Sequence, residues 1–325
     1  MTAYIIRRAL YTIPLVLGVC LITFVLFECV YSPKDRAIRQ LGKHATEEQI
    51  QDTIRREGWD KPAAVNWKAP GFAKLTDTRF REHLVRLLLL RFGRSEKTHE
   101  EIWGKILRGA VPSLKLTIPI FAMGLFVGIC LSLMVAYFRA TYLDLGAVVV
   151  CVAFMSVSIL VYIIGGQYLL AQNMMLFPVY GYAPGVHSAP FLLLPVLIAV
   201  LKGMGGDVRF YRTVFLEEVN RDYVRTARAK GLGERVILFK HVLKNSMVPV
   251  LTRTVLAIPF LFMGSLLLER FFGIPGLGNM TIEAVESGDF KVLSAMVYLG
   301  ALLFALGNLA TDISYTFVDP RIRLR

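Results

Sequence analysis

The chain has 325 residues, of which 55% are hydrophobic and 19% charged, and its mean hydropathy is +0.55. A soluble domain is about 45–50% apolar and about 25% charged, so the composition argues against soluble domains and excludes disordered, collagen-like and coiled-coil chains. The formal net charge is nevertheless +13, from 37 Lys and Arg against 24 Asp and Glu. This combination fits a polytopic membrane protein or, less well, a nucleic-acid-binding protein, and the placement of the charges decides between them.

Six apolar runs are long enough, or nearly so, for membrane-spanning helices, which need about 20 residues. Soluble core helices rarely run this far without a polar face, so burial in a soluble core is the weaker interpretation. We expect six spans, with five or seven as alternatives because the fourth run is short. The runs are Ala9 to Tyr31, Lys115 to Phe138, Leu145 to Leu170, Ala189 to Met204, Met247 to Leu268 and Val292 to Val318.

The first run follows Arg7 and Arg8, as a signal peptide would. It is longer than the apolar core of a signal peptide, which has about 7–15 residues, so we expect a retained span. The cysteines lie in apolar runs without CxxC spacing, which indicates packing rather than a metal site or a disulfide framework. They are Cys20, Cys29, Cys130 and Cys151.

The basic residues predict the orientation, because short cytoplasmic loops are enriched in Lys and Arg. With the N-terminus inside, the inner segments carry 15 basic residues and the short outer segments, 171–188 and 269–291, carry 2. Both termini are therefore expected in the cytoplasm. Nucleic-acid binding is excluded, because the basic residues lie at loop ends rather than on one face.

Residues 32–114 fall outside in this scheme, although they hold 17 basic residues. Long loops cross membranes largely regardless of charge, and 11 acidic residues make this region mixed rather than basic. Thr46 as an N-cap, acidic residues after it and Gly58 as a stop predict a helix between them. We expect a small external helical insertion between the first and second spans.

The longest internal loop, 205–246, carries nine basic residues. An apolar stripe predicts one helix that Gly231 and Gly233 end, and a second helix, Glu234 to Ser246, is expected to run into the fifth span. The stripe consists of Phe215, Leu216, Val219, Tyr223 and Ala227. On composition alone, a basic hairpin on anionic lipid and a docking element for a cytoplasmic partner are both open.

The residues of this loop resemble a known family. Residues 223–249, YVRTARAKGLGERVILFKHVLKNSMVP, are similar to the coupling loop of peptide-type ABC importer permeases of the DppB and OppB kind. The general signature of that loop is Glu-Ala-Ala, three residues and Gly. Aligned on Gly231, the first three positions are Arg225, Thr226 and Ala227, the version typical of the peptide and nickel branch.

Other segments resemble the family in the same order along nearly the whole chain. They are IIRRAL near the start, EGWDKP at 57–62, FGRS at 92–95, LLLERFFGIPGLGNM at 266–280 and TDISYTFVDPRIRL at the end. The last is most similar to the Yej-type branch, which imports peptides and the antibiotic microcin C. Two outer features depart from the family and bear on substrate specificity, namely Asp289-Phe290-Lys291 in place of Asp-Tyr-Pro and an Arg-rich external region.

The resemblance implies an all-α polytopic membrane protein with six transmembrane helices and the type I ABC importer permease fold, in the bacterial inner membrane. Residues 1–31 would hold the cytoplasmic N-terminus and first span, 32–114 the external region, and 115–325 the core permease domain. The implied partners are a second homologous permease subunit, two cytoplasmic ATPase subunits, an external solute-binding protein and a peptide-like substrate. The chain has no GxxxxGK[ST] phosphate loop, so ATP and Mg²⁺ would be bound by the ATPases and this chain would bind no cofactor.

The resemblance also implies site residues, with a coupling helix at Val219–Gly231. The ATPase-coupling set is Glu217, Glu218, Asp222, Tyr223, Arg225, Thr226, Ala227, Lys230 and Gly231. The external gate candidates, in the loop GIPGLG, are Pro275, Gly276 and Gly278.

Charges within spans are costly and usually paired or functional. We expect Arg253 and Asp312 to form an ion pair or to share a polar cluster, with extension of Arg253 to the interface as an equal alternative. Glu28 is a candidate to meet a substrate ammonium, although extension to the interface is favoured. Gly124 and Gly128 permit close helix approach, which is packing rather than chemistry.

Two other functions compete with an ABC importer permease. An ion-coupled secondary transporter often has inverted repeats and a midplane charge cluster, and the sequence has neither. A membrane enzyme should have clustered His, Asp or Glu at helix ends, which are absent here. The sequence therefore favours a non-enzymatic permease subunit and keeps the secondary transporter as the alternative.

Overall fold

The computed structural model describes residues 2–26, 31–42, 45–66 and 77–318. Within these ranges the regular structure is helical, apart from one isolated bridge between Arg94 and Glu101. Contacts divide the chain into a first unit, Met1–Gly109 with Met280–Leu309, and a second unit, Ala110–Asn279 with Ala310–Arg325. The all-helical fold class is thus confirmed for the described residues.

Among the described residues, the first unit begins with four helices, two of which form the core of the predicted external region. The predicted cap at Thr46 is confirmed, since Thr46 Oγ1 accepts from Gln49 N at 3.4 Å and Thr46 N donates to Gln49 Oε1 at 3.0 Å. Ile50, Ile54 and Trp59 are buried against α2. The helices are α1 (Thr2–Phe24), α2 (Pro33–Leu41), α3 (Glu47–Arg56) and α4 (Arg79–Leu88).

In the part of the chain that the structure describes, three further helices are each long and apolar enough to cross a membrane, or up to five if each of two bent helix pairs is one span. A shorter apolar helix covers Leu10–Phe24, within the first predicted span. A polytopic helical membrane protein is thus supported, while the number six stays a prediction. The remaining helices are α5 (Ile102–Tyr137), α6 (Tyr142–Ser156), α7 (Ile159–Asn173), α8 (Ala189–Val219), α9 (Asp222–Ala229), α10 (Glu234–Leu261), α11 (Leu266–Phe272), α12 (Leu277–Ser287) and α13 (Phe290–Val318).

The third predicted span is broken rather than continuous. Helices α6 and α7 meet at Val157 with a bend of 88°. Lys202 of α8 stabilises the break, because its ammonium donates to the carbonyls that lose their helical donors there, and such groups need partners in a membrane. Lys202 Nζ lies 3.3, 2.9 and 2.8 Å from the carbonyl oxygens of Phe154, Met155 and Val157.

The C-terminal ends of the fourth and fifth predicted spans differ from the ends of the corresponding helices. Helix α8 starts at Ala189 as predicted but continues beyond Met204 to Val219. Helix α10 starts at Glu234, which confirms the prediction that the second loop helix runs into the fifth span. It ends at Leu261, and α11 follows at an angle of 49°. The extension of α8 carries charged residues that contact neighbouring helices.

Candidate functional site

A cavity of about 330 Å³ lies among α5, α8 and α10 in the second unit. Its walls are largely apolar, but Asp207 of α8 and Arg253 of α10 also line it. Small-molecule sites are usually concave, mostly apolar spaces with a few convergent polar groups. The other lining residues are Thr117, Ile120, Phe121, Gly124, Leu125, Ala199, Val200, Gly203, Tyr211, Thr254, Ala257, Phe260 and Leu261.

Asp207 and Arg253 form an ion pair through a single contact. Arg253 Nη2 donates to Asp207 Oδ1 at 2.6 Å, and the side chains of Asp207 and Arg253 are 26% and 40% exposed. The guanidinium carbon lies 4.5 Å from the ring centre of Phe210. Because an aromatic face attracts a cation, Phe210 holds Arg253 in place independently of the carboxylate.

The approach of α5 to Asp207 requires a glycine at position 128. A Cβ on Gly128 would lie 3.2 Å from Asp207 Cβ and 3.2 Å from Tyr211 Cε2, closer than ordinary van der Waals contact. The predicted close helix approach is therefore confirmed at Gly128. Its consequence is space for an acidic side chain between two helices.

The structure gives Arg253 a partner that the sequence does not predict. Asp312 lies on α13, but its side chain is outside the described residues, so its predicted pairing with Arg253 stays a prediction. Glu28 also lies outside the described residues. Sequence reasoning misses Asp207 because hydropathy ends the fourth span at Met204. The signal that finds it is a four-residue spacing that continues the helix, in Ala199, Gly203, Asp207 and Tyr211.

Arg212, further along α8, forms a second ion pair with Asp144 of α6. Arg212 Nε donates to Asp144 Oδ1 at 2.7 Å, and Arg212 Nη2 donates to Asp144 Oδ2 at 2.8 Å. The backbone N–H of Ala140 adds a contact to Oδ2 at 3.3 Å. Bidentate guanidinium–carboxylate pairs combine strength with fixed geometry, so this pair fastens α6 to α8.

The predicted coupling residues lie on α9 and on the adjoining end of α8. Val224 and Ala227 of α9 are buried in a core shared with Phe215 of α8 and with Ile237 and Val242 of α10. Ala227 therefore contacts the protein's own interior. The exposed members of the predicted set are Glu217, Asp222, Arg225, Thr226, Lys230 and Gly231. They give α9 a polar outer face on an apolar base.

Tyr223 links α9 to α8 across the break at Asn220. Its hydroxyl donates to Glu218 Oε2 at 2.7 Å. Burial, together with the hydrogen bond to Glu218, raises the pKa of Tyr223 to about 12. The hydroxyl therefore stays protonated at neutral pH and remains a donor to Glu218.

The prediction of one continuous helix through the stripe from Phe215 to Ala227 is wrong. Helix α8 ends at Val219, Arg221 is extended with φ −71° and ψ 152°, and α9 covers only Asp222–Ala229. The break reorients the chain so that Val219 and Val224, on different helices, enter the same core. The predicted coupling helix is thus a separate eight-residue element.

Gly231 ends α9 as predicted. Its φ is +78°, Gly231 N donates to the Arg228 carbonyl at 2.9 Å, and Leu232 N donates to the Ala227 carbonyl at 3.2 Å. These two bonds define a Schellman C-cap, which requires a left-handed residue. Arg228 Nε also donates to Glu234 Oε1 at 2.6 Å, so the turn is closed on both sides and α9 is firmly joined to α10.

The external gate candidates surround a buried carboxylate that the sequence does not single out. Glu269 of α11 is fully buried, with 0% exposure. Glu269 Oε1 accepts from Ser113 Oγ at 2.8 Å and from Ser265 N at 3.1 Å, and Oε2 accepts from Asn279 N at 3.0 Å. A Cβ on Gly276 would collide with Glu269 and Ser113.

Pro275 lies in the connection between α11 and α12, and Gly278 lies in the first turn of α12. A Cβ on Gly278 would come within 2.8 Å of the Leu266 backbone nitrogen, so this loop is packed tightly onto the start of α11. The GIPGLG segment is therefore fastened by hydrogen bonds and close contacts. Its turn-rich character is confirmed, and its role as a gate stays a prediction.

Comparison with known families finds two profile matches, which together cover most of the chain. The profile of the family described as "Binding-protein-dependent transport system inner membrane component" matches residues 128–324. The profile of the corresponding N-terminal part, described as "Binding-prot-dependent transport system membrane comp, N-term", matches residues 1–117.

Curated relatives are similar to this chain from end to end. A peptide transport system permease protein of Brucella abortus (strain 2308) is 31% identical over 328 residues, covering 99% of both chains. The glutathione transport system permease protein GsiC of Salmonella choleraesuis (strain SC-B67) is 30% identical over 331 residues, covering 100% of both chains. The oligopeptide transport system permease protein AppB of Bacillus subtilis (strain 168) is 29% identical over 333 residues, covering 99% of both chains.

Proposed function

The chain belongs to the family of binding-protein-dependent transport system inner membrane components, and from this premise we propose that it imports peptides or peptide-like solutes. It is the permease component of an ABC importer and not itself an enzyme, in agreement with the DppB- and OppB-like resemblance. Its family and its apolar helices make it a multi-pass inner-membrane protein. Ion-coupled secondary transport is thereby set aside.

The substrate class rests on the names of the relatives, which refer to transport of peptides, oligopeptides and glutathione. All such solutes carry amide groups together with ammonium and carboxylate groups. We assign the same class to this chain because the similarity covers its entire length. The narrower resemblance to the Yej-type branch stays a prediction.

The proposed assembly contains a second homologous permease subunit, making a heterodimer, and two cytoplasmic ATPase subunits that bind ATP and Mg²⁺. A solute-binding protein delivers the peptide from outside, and membrane lipid surrounds the helices. The dependence on a binding protein is part of the family description. This chain binds no cofactor and no nucleic acid in the proposal.

The proposed topology has six spans of the type I fold, with both termini and α9 in the cytoplasm. Residues 32–114 then lie outside, and the segment GIPGLG acts at an external gate. The excess of basic residues in the inner segments supports this orientation.

The observation that carries the coupling mechanism is the core beneath α9. Val224 and Ala227 share that core with side chains of α5, α8 and α10, including Leu133, Phe215 and Ile237. When the ATPases close on ATP, they would move α9 as a rigid unit, because its cap and its pairing with Glu234 fix it to α10. The movement would reach α8 and α10, which carry Asp207 and Arg253, and would change access to the cavity between them.

Replacement of Gly231 tests this mechanism. Gly231→Trp is expected to abolish ATP-driven uptake of a dipeptide in proteoliposomes while the complex still assembles in the membrane, because the bulky residue faces the ATPase and strains the left-handed cap. Gly231→Asn should retain most uptake, since asparagine tolerates this conformation. Uptake would be normalised to the amount of ATPase subunits that co-purify with each variant, which shows that the complex has assembled.

Gly233→Ala is the matched control. Gly233 is also open, since a Cβ at this position would have no atom within 4 Å, but its φ of −66° suits any residue. It should therefore behave as wild type. Normal uptake by Gly231→Trp would contradict the proposed coupling role of α9.

A further inference from the structure

We propose that Asp207 and Arg253 form a subsite that binds the ammonium and carboxylate groups of a zwitterionic peptide on its way through the membrane. The inference rests on the proposed function and assigns part of the solute pathway to named residues. Asp207 Oδ2 receives the ammonium, and the outer edge of the Arg253 guanidinium receives the carboxylate.

The geometry of the pair leaves part of each group available to a ligand. Arg253 uses Nη2 and Asp207 uses Oδ1 in their 2.6 Å contact. Within the part of the chain that the structure describes, neither side chain makes a further hydrogen bond. A guanidinium has five N–H donors and a carboxylate has about four acceptor positions. A ligand can therefore bind both groups without breaking the contact between them.

The second oxygen of Asp207 is bordered by glycines. A Cβ on Gly203 would lie 3.7 Å from Oδ2, and one on Gly124 would lie 4.0 Å from it. Because neither position has a side chain, this oxygen can be reached from the 330 Å³ cavity. An ammonium group entering the cavity meets the carboxylate directly.

The charge balance favours a zwitterion over a singly charged solute. The pair has no net charge, and the surrounding walls are largely apolar. A solute with one charge would leave an uncompensated charge in an apolar space, which is costly. A peptide with one ammonium and one carboxylate keeps the cavity neutral and gives each charged group an opposite partner.

The arrangement of the pair also suits release. Asp207 and Arg253 lie on different helices, and Phe210 holds the guanidinium 4.5 Å from its ring centre. Because Asp207 and Phe210 both lie on α8, a shift of α8 against α10 moves both of them relative to Arg253 and changes the separation of the two charges. The subsite can therefore change its affinity when α9 moves the two helices.

The test measures ATP-driven uptake by the complete importer in proteoliposomes. Three solutes are compared: alanyl-alanine, its N-acetyl form and its C-terminal amide. The binding protein is identical throughout, so its own preferences cancel in the ratio of each variant to wild type. Thr252→Val, a neutral change on α10 outside the lining of the cavity, is the matched control and should leave all three ratios unchanged.

Asp207→Asn is expected to lower uptake of alanyl-alanine at least about tenfold, because one charge-assisted hydrogen bond is lost. Uptake of the N-acetyl form should stay the same or rise, because its single negative charge then balances Arg253. Arg253→Gln should lower alanyl-alanine uptake to a similar extent and leave uptake of the amide unchanged or raise it, because the single positive charge of the amide then balances Asp207. A loss confined to the matching charged group is a readout that a purely structural role would not produce.

Two results would overturn the subsite. In the first, both variants transport all three solutes as wild type does. In the second, each variant loses uptake of all three solutes equally, which would make the pair a fastener between helices. If the wild-type importer takes up no peptide at all, the proposed function fails instead, and the subsite fails with it.

Discussion

Two ion pairs on α8 use the same residue types in different ways. Arg212 donates two hydrogen bonds to Asp144, at 2.7 and 2.8 Å, and the side chains of Arg212 and Asp144 are 23% and 12% exposed. Asp207 and Arg253 share one hydrogen bond, at 2.6 Å, and are 26% and 40% exposed in a cavity. The first pair joins α8 to α6, and the second joins it to α10.

The difference shows that a charged residue in a membrane helix can have more than one role. A bidentate pair satisfies its own groups and contributes geometry and stability. A single-contact pair in a cavity keeps binding capacity at the cost of a weaker connection between helices. The number of contacts and the exposure decide which role applies, and the residue types alone do not.

The largest expected effect is the loss of stability when the carboxylate of each pair is removed. This loss should differ between the two pairs. Asp144→Ala leaves the Arg212 guanidinium without its carboxylate, and breaking a buried pair in this way costs roughly 3 kcal/mol. Asp207→Ala should cost less, roughly 1.5 kcal/mol, because only one hydrogen bond to a charged group is lost and Arg253 is 40% exposed and keeps its contact with Phe210. Apparent thermal midpoints of the purified complex in detergent measure both.

The double variant Asp144→Leu/Arg212→Met is the control for the first prediction. Replacing both partners of a buried pair with apolar residues is often nearly neutral, so this variant should recover most of the lost midpoint. Equal midpoints for Asp144→Ala and Asp207→Ala would contradict the distinction between the pairs.

Replacing each arginine with lysine is expected to destabilise the Arg212 pair more than the Arg253 pair. The difference in stability should be smaller than for the alanine variants. Arg212→Lys keeps the charge but loses the planar two-point contact with Asp144, at a cost of roughly 1–2 kcal/mol. Arg253→Lys replaces a single contact by another and should change the midpoint by less than about 0.5 kcal/mol. The same thermal measurement applies, and a larger loss for Arg253→Lys would show that the single contact fastens the helices after all.

A methyl group on Gly128 tests the space around the single-contact pair. Gly128→Ala places a Cβ 3.2 Å from Asp207 Cβ and Tyr211 Cε2, whereas Gly146 has no atom within 4 Å of such a Cβ. Both substitutions replace glycine with alanine in a helix and gain the same helix propensity. The difference in stability between the two variants therefore reports the packing around Gly128. Gly128→Ala should be about 1 kcal/mol less stable than Gly146→Ala in the same thermal assay. Equal midpoints would mean that α5 and α8 separate without cost.

The sequence predicts best where local rules decide the structure. The cap at Thr46, the glycine turn at Gly231 and the helix that begins at Glu234 all follow from short-range patterns, and the structure contains each of them. These features depend on neighbouring residues only. They also include the predicted coupling segment, whose function stays a prediction.

The sequence predicts poorly where distant partners decide the structure. Hydropathy ends the fourth span at Met204 because it counts Asp207 and Arg212 as costs, although Arg253 and Asp144 compensate them. The break at Val157 is likewise invisible in an apolar run, since its stabilising ammonium comes from Lys202, 45 residues away. The cavity and its ion pair therefore could not be placed from the sequence alone.

The smallest expected effect comes from an ion pair in the first unit that is partly exposed to solvent. It can be compared with the two ion pairs of α8. Lys61 Nζ lies 2.5 Å from Glu82 Oε1, with both side chains about one-third exposed, at 36% and 34%. Exposed pairs contribute about 0–1 kcal/mol, so Lys61→Met should accelerate amide hydrogen exchange in α4 less than about fivefold. Lys34→Met is the control, because Lys34 pairs with Glu47 instead and should leave α4 unchanged.

The pH dependence of this pair gives the prediction a second readout. The hydrogen bond with Glu82 raises the pKa of Lys61, so its contribution is fully present below the ordinary lysine pKa of about 10.4 and is lost only as the pH rises above it. The ratio of exchange rates between Lys61→Met and wild type should therefore stay constant from pH 7 to pH 9. An effect that fades within this range would contradict the raised pKa of Lys61, whereas an effect above tenfold would show that close contact outweighs exposure. The same contact criterion would then have to be applied to Asp207 and Arg253, whose 2.6 Å contact is nearly as short.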